Sequence, residues 1–109
     1  MFKGKALKDL VELFKKRQVM LYHSCQFIDF QSYTRIGGIP SRQLLEDRGL
    51  SFTPFETDKN DQDNSVWDKV FLNLSDFGNF FGRDGIPTVY GPIAFVVRPQ
   101  ALLEADDVA

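Results

Sequence analysis

Runs with helical spacing and runs of strand-forming residues alternate along this chain. Glycine and proline cut between them at Gly37-Gly38, Pro40, Gly49, Pro54, Gly91-Pro92 and Pro99. Proline removes a backbone donor and locks φ, and glycine relaxes helix ends, so each element is held short and must find its partners elsewhere in the chain. Short helices interleaved with short strands predict an α/β or α+β class, here read as α+β, a small mixed sheet flanked by helices. The 109 residues are enough for one such domain, 1–109, with one modest core.

The first helix is marked by Leu7, Leu10, Val11 and Phe14, with lysines and Glu12 between them and Lys15-Lys16-Arg17 at its C-terminal end. Val19-Met20-Leu21-Tyr22 reads as a short strand. Phe27, Ile28, Phe30, Tyr33 and Ile36 suit a second helix, stopped by Gly37-Gly38. Ser41 is the expected N-cap of a helix over Arg42–Arg48, with Gly49 as its stop. Leu50–Phe55 is expected to be extended. The apolar-free ETDKNDQDNS at 56–65 is expected to be an exposed loop. Val66–Leu74 is a strand candidate, Asp76–Phe81 a helical turn, and Ile93–Val97 the most strand-like run in the chain. Pro99 suits the first turn of a last short helix.

Phenylalanine supplies 11 of the aromatic residues, against one Trp and three Tyr. A ring with no polar handle belongs in the core, so most of these rings are expected there. The net charge of -2 argues against a general nucleic-acid binder, which must neutralise phosphates. One cysteine makes no internal disulfide, which points to a reducing compartment, and the charged N-terminus has no apolar signal segment. A cytoplasmic protein without a membrane partner is expected. The acidic run at 56–65 fails the EF-hand pattern: ligands at Asp58, Asn60 and Gln62 put Asp63 where glycine is needed. No metal site is expected.

The only imidazole and the only thiol lie two residues apart, at His23 and Cys25. Residues two apart in a strand share a face, so an activated Cys-His pair is one reading. A second reading is a binding strand end. There an imidazole, a hydroxyl and free backbone groups meet a planar amide such as nicotinamide. A third is a histidine satisfied within the protein. A non-catalytic interaction domain, with Tyr22, Phe80, Phe81 and Tyr90 near a partner surface, stands beside these.

Leu21-Tyr22-His23-Ser24, then Ile28-Asp29, Ser32, Gly37-Gly38-Ile39 and Ser41-Arg42, resemble the opening of the ADP-ribosyltransferase superfamily. Its NAD site often starts with a hydrophobic-aromatic-His strand followed by a helix and a glycine-containing turn. The spacing is most similar to the DarT-like branch, which modifies DNA bases, and more loosely to the poly(ADP-ribose) polymerase branch. The resemblance covers Val19–Arg42 well and continues weakly through Val70–Ser75, which matches a second NAD-site strand. It implies an ADP-ribosyltransferase-like half-fold with NAD as substrate and a protein or nucleic-acid acceptor. His23 would hold the nicotinamide ribose or carboxamide, and Ser24 would line the same wall. Phe71 or Phe80 would stack on the nicotinamide ring, and Ser75 would supply a polar contact.

The sequence also departs from that pattern. Ser24-Cys25 stands where the superfamily usually has Gly or Thr, and Phe30 where DarT-like proteins have Asn. No residue fits the catalytic glutamate of the superfamily's late strand, since Glu104 lies in a helix-like Leu-Leu-Glu-Ala context. The chain is expected to be either a piece of a longer enzyme or a domain that keeps the fold without the full chemistry.

Overall fold

The computed structural model describes residues 1–54, 58–75, 91–105 and 108. Four α-helices, two strands and a 3-10 helix run in the order α1 (Gly4–Lys16), β1 (Leu21–Cys25), α2 (Phe27–Ile36), α3 (Arg42–Asp47), α4 (Asp58–Asp63), β2 (Ile93–Val97) and the 3-10 helix Pro99–Glu104. The fold is a small α+β structure. The described residues form an antiparallel pair of strands, not the expected mixed sheet.

β1 lies at the centre. On one edge it pairs with β2, from Leu21 opposite Val97 to Cys25 opposite Ile93. On its other edge, Tyr22 exchanges two 2.8 Å backbone hydrogen bonds with Asn73. The strand thus continues through His23-Ser24-Cys25, beyond the run marked by its apolar residues. Residues 66–75 make only this isolated bridge where a full strand was expected.

One sheet face carries the core. Cys25, Tyr33 and Leu45 are buried together, and Ile36, Ile39, Leu50, Phe52, Ile93 and Phe95 pack against them. α2 and α3 thereby cover the face that holds Leu21, His23 and Cys25. α1 buries Leu7 and Val11, as its spacing predicts, and packs against the 3-10 helix. Phe2 and Val108 close the two ends of the chain with backbone bonds of 2.6 and 3.0 Å.

The helix boundaries follow local chemistry. Gly37 takes φ +87° and closes α2, its N–H donating to the Tyr33 carbonyl. The Ser41 hydroxyl accepts from the Leu44 N–H and starts α3. The polar run at 56–65 was expected as a loop but contains α4, a six-residue helix with no buried residue. Amphipathic spacing could not announce a helix that buries nothing. No described helix is long and apolar enough to cross a membrane.

The described phenylalanines divide, with Phe52 and Phe95 packed against the core. None of the described ones is fully buried, and Phe2, Phe27, Phe30 and Phe71 are exposed. Phe55, Phe77, Phe80 and Phe81 lie outside the described residues, as does the expected turn at 76–81. On α2 the buried positions are Asp29, Ser32 and Tyr33, while Phe27 is 66% exposed. The helix turns its polar residues inward because the 51–53 backbone beneath it offers groups to satisfy them.

Candidate functional site

The site is built where β1, α2 and residues 70–75 meet. The strand's alternation puts His23 on the core face, opposite Phe95 and beneath α2. Its Nδ1 lies 2.9 Å from the Phe71 carbonyl oxygen and its Nε2 lies 2.9 Å from the Tyr33 hydroxyl. A carbonyl oxygen only accepts, so Nδ1 carries the proton. A neutral imidazole has one N–H, so Nε2 accepts from the Tyr33 O–H. The tautomer follows from the partners.

Electrostatics support neutral forms of both side chains. Burial lowers the His23 pKa from its usual value of 6.5, against the opposing pull of the Phe71 hydrogen bond and the Asp29 charge. Burial, with the Asp29 charge second, pushes the Tyr33 phenol up. Stability follows with a definite sign. As pH falls through about 6.5 the unfolded chain takes up the histidine proton first, so the folded state loses stability below that pH and has its full His23 contribution above it. Urea midpoints are expected to fall between pH 7.5 and 5.5, and to fall less in His23→Asn. An equal fall in both proteins contradicts the assignment.

Asp29 organises the ground under this pair. It is 2% exposed. Its Oδ2 accepts from the Gln26 N–H at 3.0 Å and from the Thr53 hydroxyl at 2.8 Å, and its Oδ1 accepts from the Thr53 N–H at 2.7 Å. One carboxylate therefore caps α2 and ties it to the 51–53 segment. The Ser32 hydroxyl adds a bond to the Ser51 carbonyl at 2.5 Å.

Arg42 fastens the other side of that segment. Its guanidinium donates to the Thr53 carbonyl and to both Asp58 oxygens, at 3.2 and 3.0 Å. It also lies 4.5 Å from the centre of the Phe52 ring. Trp67 stands edge-on to Phe52 and donates its Nε1–H to Glu46 at 2.8 Å.

The residues expected from sequence are brought together only in part. Phe71 lies beside His23 through its carbonyl, and its side chain is half exposed. Ser24 does not share His23's wall, because consecutive strand residues point to opposite faces. Its Oγ is the one buried side-chain polar atom without a hydrogen-bond partner among the described residues. Ser75 is exposed, two residues beyond the Tyr22–Asn73 bridge. Phe80 lies outside the described residues. Tyr33, the direct partner of His23, was assigned only to the apolar face of a helix. Its place one turn after Asp29 is the signal that could have found it.

Cys25 shares the strand face with His23, but neither imidazole nitrogen bonds to it. The thiol is 2% exposed, and burial pushes its pKa up to about 11. An activated thiolate is not formed here. A thiol reagent at pH 7 is expected to label Cys25 many times more slowly in the native chain than in urea. Equal rates contradict the burial of this nucleophile. No group of three or more metal-ligating side chains occurs among the described residues.

No protein-family model, curated protein or solved structure matches this chain.

Proposed function

We propose that this chain is an ADP-ribosyltransferase-like domain that binds NAD beside His23. The observation that carries the reading is the bridge of Asn73 to the second edge of β1, which sets Phe71 beside His23. Asn73 bonds Tyr22 there, and the Phe71 carbonyl receives the His23 Nδ1–H. The motif resemblance matches Val70–Ser75 to a second NAD-site strand, which carries an aromatic residue or a serine. In this reading Phe71 or Phe80 is the ring for the nicotinamide, and His23 the residue that holds its ribose or carboxamide.

The reaction such a site serves breaks the glycosidic bond of NAD through an oxocarbenium-like ribose. A nearby carboxylate stabilises that cation. The Asp29 oxygens are already spent on three donors, and Glu104 ends the 3-10 helix. The reading is therefore of an NAD-binding domain in the cytoplasm whose catalytic carboxylate is neither Asp29 nor Glu104.

Thermal unfolding with and without millimolar NAD tests it. A ligand at a hundredfold excess over its dissociation constant stabilises the native state by about 2.7 kcal/mol, a shift of several degrees or more for a domain of this size. The shift is expected in the wild type and lost in His23→Asn, whose amide N–H replaces the bond to Phe71 but offers nothing at Nε2. A folded wild type with no shift overturns the NAD reading. The exposed Phe27, Ile28, Val70, Phe71 and Leu74 would then favour an interaction domain. Of the aromatics expected on such a surface, Tyr22 is half-buried, and Phe80, Phe81 and Tyr90 lie outside the described residues.

A further inference from the structure

We infer that α4 is a strap: the stretch from Thr53 to Trp67 is pinned at both ends, the Arg42–Asp58 pair latches α4 between them, and α4 opens and closes while the rest of the fold stays intact. The inference is independent of the NAD reading.

α2 and α3 fix the two ends. Thr53 donates its N–H and its hydroxyl to Asp29 at 2.7 and 2.8 Å, and its carbonyl accepts from Arg42. The Trp67 carbonyl accepts from the Gln43 N–H at 3.1 Å, and the Trp67 indole N–H donates to Glu46 at 2.8 Å. A segment held at both ends can let go in the middle without unfolding its neighbours.

The middle is lightly held. α4 has six residues and buries none of them. A helix that short is marginal in water by itself, so docking must order it. Among the described residues, its charged link to the body is the bond from Asp58 to Arg42, at 3.0 Å between side chains 18% and 15% exposed. Lys59, Asn60, Gln62 and Asp63 are exposed. A cavity of about 300 Å³, lined by Gln43, Gln62, Ser65, Trp67 and Asp68, lies between α3 and the C-terminal end of α4. The chain leaves the helix through Ser65 at φ +59°, a left-handed turn back toward α3.

Opening has a defined consequence. Asp58 leaves with the strap. Arg42 keeps the Thr53 carbonyl and its place 4.5 Å from the centre of the Phe52 ring and 5.9 Å from that of Trp67. The guanidinium edge that Asp58 held then faces solvent, above two aromatic rings. The state of the strap decides whether that edge is covered.

Amide hydrogen exchange of the whole chain, read by residue in rising urea, tests the inference without any ligand. The reporters are the N–H groups of Asn64, Ser65 and Val66, which donate to the Asn60, Gln62 and Asp61 carbonyls. The β1–β2 ladder reports global unfolding. In the wild type the reporters are expected to be protected, less than the ladder, and to exchange through an opening with little urea dependence. Asp58→Ala raises intrinsic helix propensity, yet it is expected to lower reporter protection about tenfold or more, because a charge-assisted bond is lost. The ladder is expected to lose no more than the same factor and to keep its steep urea dependence. Asp61→Ala removes another first-turn carboxylate, one with no ion pair among the described residues, and is expected to leave the reporters near wild type.

Reporters that follow the urea dependence of the ladder in the wild type overturn the inference, because α4 then opens only with the whole fold. Reporters unprotected in the wild type overturn it too, since nothing is latched. So does unchanged protection in Asp58→Ala, or an equal loss in Asp61→Ala. Failure of Asp58→Ala to fold also contradicts it, because a strap is separable from the fold it crosses.

Discussion

Gly91→Ala should cost this chain about 4 kcal/mol or more, at the exceptional end for a single substitution. Gly91 has φ +91°, a left-handed conformation that strains any residue with a side chain. A Cβ built there meets the Cys25 carbonyl oxygen at 2.2 Å, the Cys25 carbonyl carbon at 2.4 Å and the Gln26 nitrogen at 2.6 Å. All three are backbone atoms, so no side chain can swing away. Relief requires moving the end of β1, two residues from where Ile93 pairs with Cys25. A small domain holds only about 5–15 kcal/mol of stability in all. Circular dichroism in urea should show a greatly lowered midpoint or no folded baseline. A wild-type midpoint would contradict the close approach of these two backbones.

Asp29→Ala should cost about 3–4 kcal/mol. The substitution leaves the Gln26 N–H, the Thr53 N–H and the Thr53 hydroxyl without their acceptor in a buried site, and each such loss is worth about 1–3 kcal/mol before relaxation. Asp29→Asn should recover only part of it, because the amide presents N–H groups to a site made of donors. The expected readout is a urea midpoint well below wild type for Ala, with Asn between them. A wild-type midpoint for Asp29→Ala would mean that the carboxylate does not carry the cap of α2 and the 51–53 segment.

These two sites also show what the sequence made legible. Gly91-Pro92 was readable as a turn, but nothing in it announced that the Cys25 backbone lies against that glycine. The helix ends at Gly37, Ser41 and Gly49 were readable because a cap is written within four residues of itself. Ile93–Val97 was readable because four strand formers among its five residues sit between two prolines. The inward face of α2 was not readable. Hydrophobic spacing assigns Phe27, Ile28 and Phe30 to the core, whereas Asp29 and Ser32 are buried by partners about twenty residues away at Thr53 and Ser51. α4 was missed because its ordering contact is the distant Arg42–Asp58 pair. The apolar residues of Val66–Leu74 suit a strand, yet within that run only Asn73 pairs with β1.

The candidate site divides in the same way. His23 stood out as the only imidazole in the chain. Ser24 was grouped with it by adjacency, and the strand's alternation separates them. Phe71 was expected to present its ring, and what binds the histidine is its backbone carbonyl. Tyr33 looked like one more apolar residue on a helix. Its hydroxyl became informative only when α2 was placed over β1.

The central claim is that NAD binds beside His23. The chain's single histidine makes the most direct measurement unambiguous: nitrogen-15 spectra of the imidazole during an NAD titration at pH 7.5. The account predicts a neutral ring protonated at Nδ1 throughout, with the Nε2 resonance moving saturably as NAD is added and the Nδ1 resonance holding its place. An imidazole protonated at Nε2, or an Nε2 resonance that stays fixed up to millimolar NAD in the folded protein, would contradict it.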